Sequence, residues 1–141
     1  MRLTLLCAQR NGGKTSHILS HYSGQKGFAT VSPDRSKLSL FLLDLETGER
    51  RLLMYRKDPE VPYDLVQETF DWANSRMMRL DSGLLVLDEC GWMELEGRAF
   101  APALHHIRSC HSLSAILSVR TSFVEDYRRF FAPEEVEVIS L

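Results

Sequence analysis

Residues 8–15 read Ala-Gln-Arg-Asn-Gly-Gly-Lys-Thr, so two glycines, a lysine and a hydroxyl follow a short apolar run and precede a helical pattern. Those types in that order suit phosphate binding. Small residues let backbone N–H groups converge on phosphate oxygens, and the start of the following helix adds unpaired donors and the positive end of its dipole. Gly12 and Gly13 supply conformational freedom, Lys14 a compact cation for the β and γ phosphates, and Thr15 a hydroxyl for a magnesium ion bridging them. Asn11, Gly12, Gly13, Lys14, Thr15 and Ser16 are the expected nucleotide contacts. Ala8 stands where such a loop usually opens with glycine; its methyl group is the smallest possible addition.

Leu84-Leu85-Val86-Leu87-Asp88-Glu89 supplies the complementary half. A continuous apolar run closed by acids reads as a strand buried on both faces, with its carboxylates emerging at the C-terminal end. In open α/β sheets ligands bind at that end. Asp88 is then expected to hold the metal with Thr15, and Glu89 to orient and deprotonate the attacking water. An acidic pair by itself reads as a solvated turn; paired with the loop it completes a Walker A and Walker B set. Phosphoryl transfer needs further positive charge, and Arg120, at the end of a later strand, is the first candidate, ahead of Arg35 and Arg98. The expected catalytic set is Lys14, Glu89 and Arg120.

The elements that must position these groups follow from periodicity. Leu3–Cys7, Phe28–Val31, Lys37–Asp44, Arg50–Tyr55, Ala115–Val119 and Val136–Ile139 join the acidic run as strands, with residues 45–49 closing a hairpin. Helices are expected over Lys14–Tyr22, Asp64–Leu80, around Phe100–Cys110 and over Val124–Phe131. Val66, Phe70, Ala73, Met77 and Leu80 form one apolar stripe; Trp72 at its edge is read as packing rather than base stacking. The alternation predicts an α/β fold: a mainly parallel sheet flanked by helices on both faces, three layers, with an antiparallel hairpin extension.

At 141 residues the chain fits a single domain over 1–141. Cys7, Cys90 and Cys110 are odd in number and form no Cys-x-x-Cys pair, which suits free thiols in a reducing cytoplasm. A net charge of −2 offers no basic field and argues against nucleic acid as a partner. No apolar run approaches membrane-spanning length, so no membrane is expected, and a cytoplasmic location is the default. His17 and His21 lie one helical turn apart without a third ligand, so zinc is not expected.

Together, the Walker A segment, Lys26-Gly27-Phe28-Ala29-Thr30, the Asp44-to-Glu49 hairpin and Leu87-Asp88-Glu89-Cys90-Gly91-Trp92-Met93-Glu94-Leu95 follow the order seen in a known family. The chain resembles the small nucleoside-triphosphatase family first described in thermophiles, a branch of the RecA-like P-loop NTPases with an additional strand between the loop strand and the acidic strand. The resemblance covers most of the chain, and Asp-Glu-x-Gly-x-Met-Glu-Leu is its most specific part. It implies magnesium-dependent hydrolysis of ATP, GTP or related triphosphates to diphosphate and phosphate, with Gly13, Lys14 and Thr15 on phosphate and metal, Asp88 on metal and Glu89 as base. The family's glutamate after Gly-Phe-x-Thr is missing from Val31-Ser32-Pro33-Asp34-Arg35. Two alternatives stand beside hydrolysis: a nucleotide or small-molecule kinase, and a nucleotide-responsive binding module with little turnover, working with a protein partner or as an oligomer.

Overall fold

Eight strands build one sheet in the order β5-β4-β3-β2-β6-β7-β1-β8. The computed structural model describes residues 1–9 and 13–141. The strands are β1 Leu3–Ala8, β2 Gly27–Val31, β3 Ser39–Asp44, β4 Arg50–Tyr55, β5 Asp64–Leu65, β6 Gly83–Cys90, β7 Leu113–Arg120 and β8 Val136–Ser140. The helices are α1 Lys14–Tyr22, α2 Gln67–Met78, α3 Trp92–Leu95, α4 Ala101–Ser109 and α5 Val124–Phe131.

β2, β6, β7, β1 and β8 run parallel, while β3, β4 and β5 extend the sheet antiparallel. The mainly parallel sheet with a hairpin extension is thus observed, and β7 lies between the loop strand β1 and the acidic strand β6. The hairpin between β3 and β4 turns because the buried Asp44 carboxylate accepts the backbone N–H groups of Glu46 and Thr47. β2 enters the sheet so closely that a Cβ on Gly27 would stand 2.0 Å from the Val86 carbonyl oxygen; only glycine fits there.

Side chains alternate across the sheet. Leu3, Leu5, Leu85, Leu87, Leu117 and Val119 face one cluster, completed by Phe70, Ala73 and Met77 of α2, Leu104 and Ile107 of α4, and Tyr127 and Phe131 of α5. Leu6 and Val86 face the other way and meet Ile18 of α1, with Ala29 and Leu45. Helices cover both faces, and among the described residues α1 is the helix that packs into the smaller cluster.

The helix expected from Asp64 starts later. Asp64 and Leu65 pair with Tyr55 and Met54 as a short edge strand, and the Val66 N–H bonds the Leu53 carbonyl at 2.8 Å, so sheet pairing claims the backbone before the helix begins. Trp72 is a packing residue: its ring meets Phe28 edge-on and lies beneath the guanidinium groups of Arg51, at 4.0 Å, and Arg76, at 5.0 Å.

Candidate phosphate and metal site

The C-terminal ends of β1, β6 and β7 meet the N-terminus of α1. Gly13 caps the helix with φ 86°, a left-handed conformation that a side chain would strain, and its carbonyl accepts the first helical N–H, from His17. Lys14 and Thr15 occupy the first helical positions. Lys14 is 5% exposed, and no acceptor among the described residues pairs with its ammonium group. Asn11 and Gly12 lie outside the described residues; Ser16 is exposed on the first turn of α1.

Thr15 and Asp88 come together across 73 residues of chain. The Thr15 hydroxyl donates to Asp88 Oδ2 at 2.6 Å, and the Ser118 hydroxyl of β7 donates to Oδ1. Asp88 is fully buried. Burial, followed by the Glu89 charge, pushes its carboxyl up to about 6, against the opposing hydrogen bonds from Ser118, Thr15 and the Thr30 backbone. Burial disfavours the anion, while every bond to it restores some of what was lost. The donors around this point are oxygens, the ligand type that hard divalent cations take. Among the described residues no group of three or more His, Cys, Asp or Glu could hold a metal. His17 and His21 stack with ring centroids 4.1 Å apart, and His21 Nδ1 lies 2.9 Å from the His17 carbonyl oxygen.

Glu89 is exposed next to the buried Asp88, with φ 61°. Its N–H donates to Ser118 Oγ at 2.8 Å. Arg120 ends β7, exposed and in register with Ala8 at the end of β1, so it shares the edge from which the loop departs. Arg35 lies in the turn after β2, whereas Arg98 is engaged, with Glu96 at 3.1 Å and the Trp92 ring at 4.9 Å.

The following turn is anchored separately. Glu94 is buried and its carboxylate accepts the N–H groups of Gly91, at 2.8 Å, and Phe100, at 3.1 Å; the Tyr127 hydroxyl donates to the Gly91 carbonyl at 2.7 Å. Burial raises the Glu94 carboxyl, and the backbone N–H groups oppose it. Glu94 therefore ties the turn rather than bonding Asp88. Cys90 fills the larger cluster as a small apolar side chain, its thiol pushed well up by burial.

Sequence reasoning missed Ser118. Its signal was a hydroxyl two residues before the C-terminal end of β7, on the same alternation as Ile116 and therefore on the α1 face. The four-residue α3 was also missed, being too short to show a period.

No protein-family model matches the chain, and no curated protein matches its sequence. Two solved structures are similar along its whole length. One is the solution structure of a human cancer-related nucleoside triphosphatase, at 20% identity with a TM-score of 0.70 over 100% of this chain and 89% of that one. The other is the crystal structure of THEP1 from the hyperthermophile Aquifex aeolicus, at 16% identity with a TM-score of 0.59 over 100% of this chain and 90% of that one. With the sheet order and flanking helices described above, this likeness establishes the fold as that of the P-loop NTPases.

Proposed function

We propose that the protein binds a nucleoside triphosphate with magnesium and hydrolyses it to the diphosphate and phosphate. The observation that carries this reading is the 2.6 Å bond between Thr15 at the start of α1 and Asp88 at the end of β6, which unites the two sequence motifs at one point. Lys14 supports it: a buried cation with no partner among the described residues calls for an anion, and a triphosphate supplies one. The human structural neighbour, a nucleoside triphosphatase by name, points the same way.

The chemistry assigned to each residue follows. Thr15 Oγ1 and the Asp88 carboxylate offer oxygen ligands that fit magnesium. A bound magnesium ion would neutralise charge on the β and γ phosphates. Lys14 stabilises the same phosphates as a point charge, with the N-terminal amides of α1 around them. Glu89, exposed beside Asp88, accepts a proton from the attacking water. Arg120 offers its guanidinium to the charge that develops in transfer.

Phosphate release is the test, measured over several nucleoside triphosphates with and without magnesium. The wild-type chain releases phosphate only with magnesium, and Lys14→Ala reduces release to background. Glu89→Gln keeps nucleotide binding while kcat falls about 100- to 10,000-fold. Hydrolysis by Glu89→Gln at the wild-type rate removes Glu89 from the role of base. Nucleotide consumption that requires an added acceptor and yields a phosphorylated product replaces hydrolysis with kinase activity.

A further inference from the structure

β6 and β7 fall out of register beside the acidic pair. Leu87 pairs with Leu117 and Cys90 with Val119, so three steps along β6 match two along β7. This is a bulge, with one residue more on β6 than on its partner. Leu85 and Leu87 face the larger cluster, and regular alternation would send Glu89 there next; Cys90 occupies that cluster instead, while Glu89 is exposed. The left-handed φ of 61° at Glu89 is the turn by which the extra residue leaves the ladder.

Leaving the ladder orphans the Glu89 amide, which a regular parallel pairing would satisfy with a main-chain carbonyl. Ser118 takes over that duty. Its Oγ accepts the Glu89 N–H at 2.8 Å, and its single proton goes to Asp88 Oδ1. A hydroxyl has one proton, so donating it to the carboxylate leaves lone pairs for the amide and settles the direction of both bonds. Ser118 is fully buried, so its bonds are shielded from competing water.

We infer that Ser118 is a positioning residue of this site: it closes the bulge, holds the Glu89 backbone left-handed, and thereby keeps the Glu89 carboxylate out of the core and at the edge where Thr15 and Asp88 meet. It acts through Glu89 rather than on the nucleotide. The inference rests on Glu89 serving as the base proposed above.

A double-mutant cycle on magnesium-dependent phosphate release tests it, using wild type, Ser118→Ala, Glu89→Gln and the pair combined. Ser118→Ala lowers kcat about 10- to 100-fold while KM and the nucleotide Kd change by less than about threefold, the signature of a misplaced group rather than a lost binding contact. The double variant is within about twofold of Glu89→Gln alone, because a residue that acts through Glu89 has nothing left to position. Ser118→Thr, which restores the hydroxyl, recovers most of the loss. In the wild-type chain, hydrogen exchange finds the Glu89 amide protected, a readout that needs no variant to fold. Wild-type kcat in Ser118→Ala, losses that multiply in the double variant, or an unprotected Glu89 amide each overturn the inference. A wild-type chain without phosphate release overturns the reading of the whole site, whereas an active wild type matched by Ser118→Ala overturns this inference alone.

Discussion

On one face of the sheet α1 covers a small apolar cluster, Leu6, Ile18, Ala29, Leu45 and Val86; on the other α2, α4 and α5 bury Phe70, Phe100, Tyr127 and Phe131 in a much larger one. The thin face carries Thr15, Asp88 and Ser118, joined through side-chain hydroxyls, with one further bond to Asp88 from the Thr30 backbone. The thick face carries a buried acid too, Glu94, yet its partners are backbone N–H groups. The difference distinguishes two uses of a buried carboxylate. Hydroxyls rotate and can turn their lone pairs to a cation, so the Thr15 bond to Asp88 could rearrange around the proposed magnesium ion. Backbone donors are fixed by the chain, and Glu94 serves the turn alone. Under the proposed function, chemistry belongs to the thin face and most of the apolar burial to the thick one.

Three perturbations break or sharpen that contrast. The largest effect is expected on the thick face, where Phe70→Ala removes a side chain that is 1% exposed and packs on Phe100 with centroids 4.9 Å apart. Urea unfolding finds it less stable by about 3 to 5 kcal/mol. A loss below about 1 kcal/mol removes the asymmetry between the faces.

Asp88→Asn moves stability the other way. In the unfolded chain Asp88 ionises near its ordinary value of 3.8, but in the folded chain only at about 6, so between these values the unfolded state sheds its proton first and stability falls as pH rises. The group's favourable contribution is complete below about pH 4 and gone above about 6. Neutral asparagine escapes this cost, so with metal chelated and nucleotide absent the variant is more stable than wild type by up to about 3 kcal/mol at pH 7, and equal to it near pH 3. Phosphate release is lost in the same variant. Denaturant midpoints at both pH values check the sign, and a destabilised variant at pH 7 removes functional strain from this carboxylate. The smallest effect belongs to the thin cluster: Ile18→Val costs about 0.5 to 1.5 kcal/mol, and its thermal midpoint shows whether α1 is held as loosely as its cluster suggests.

Much of the architecture was legible from local pattern. The α1 bounds, the β4 bounds and the α5 bounds follow from the periodicity of residues 14–22, 50–55 and 124–131, because each segment's apolar spacing agrees with the face that it buries. Element ends set by long-range pairing were not legible. Asp64 and Leu65 carry no mark that β4 will claim them, and the four residues of α3 are held by bonds that leave the helix, from the Glu94 carboxylate to the Gly91 and Phe100 N–H groups and from Tyr127 to the Gly91 carbonyl. The candidate site divides the same way. Lys14, Thr15, Asp88 and Glu89 announce themselves by type and spacing, whereas Ser118 is an unremarkable strand serine until β6 slips against β7.

Local sequence by itself determined that a glycine-lysine-threonine turn would open a helix and that an apolar run would end in two acids, because covalent spacing and hydrophobic burial act within a few residues. It could not place those acids relative to each other. Strict alternation puts Asp88 and Glu89 on opposite faces, and only the bulge against β7, stabilised by a hydroxyl 29 residues away from Glu89, turns the second acid out of the core. That outcome depends on a register between strands brought together by the folded chain, which is a property of the sheet rather than of either segment.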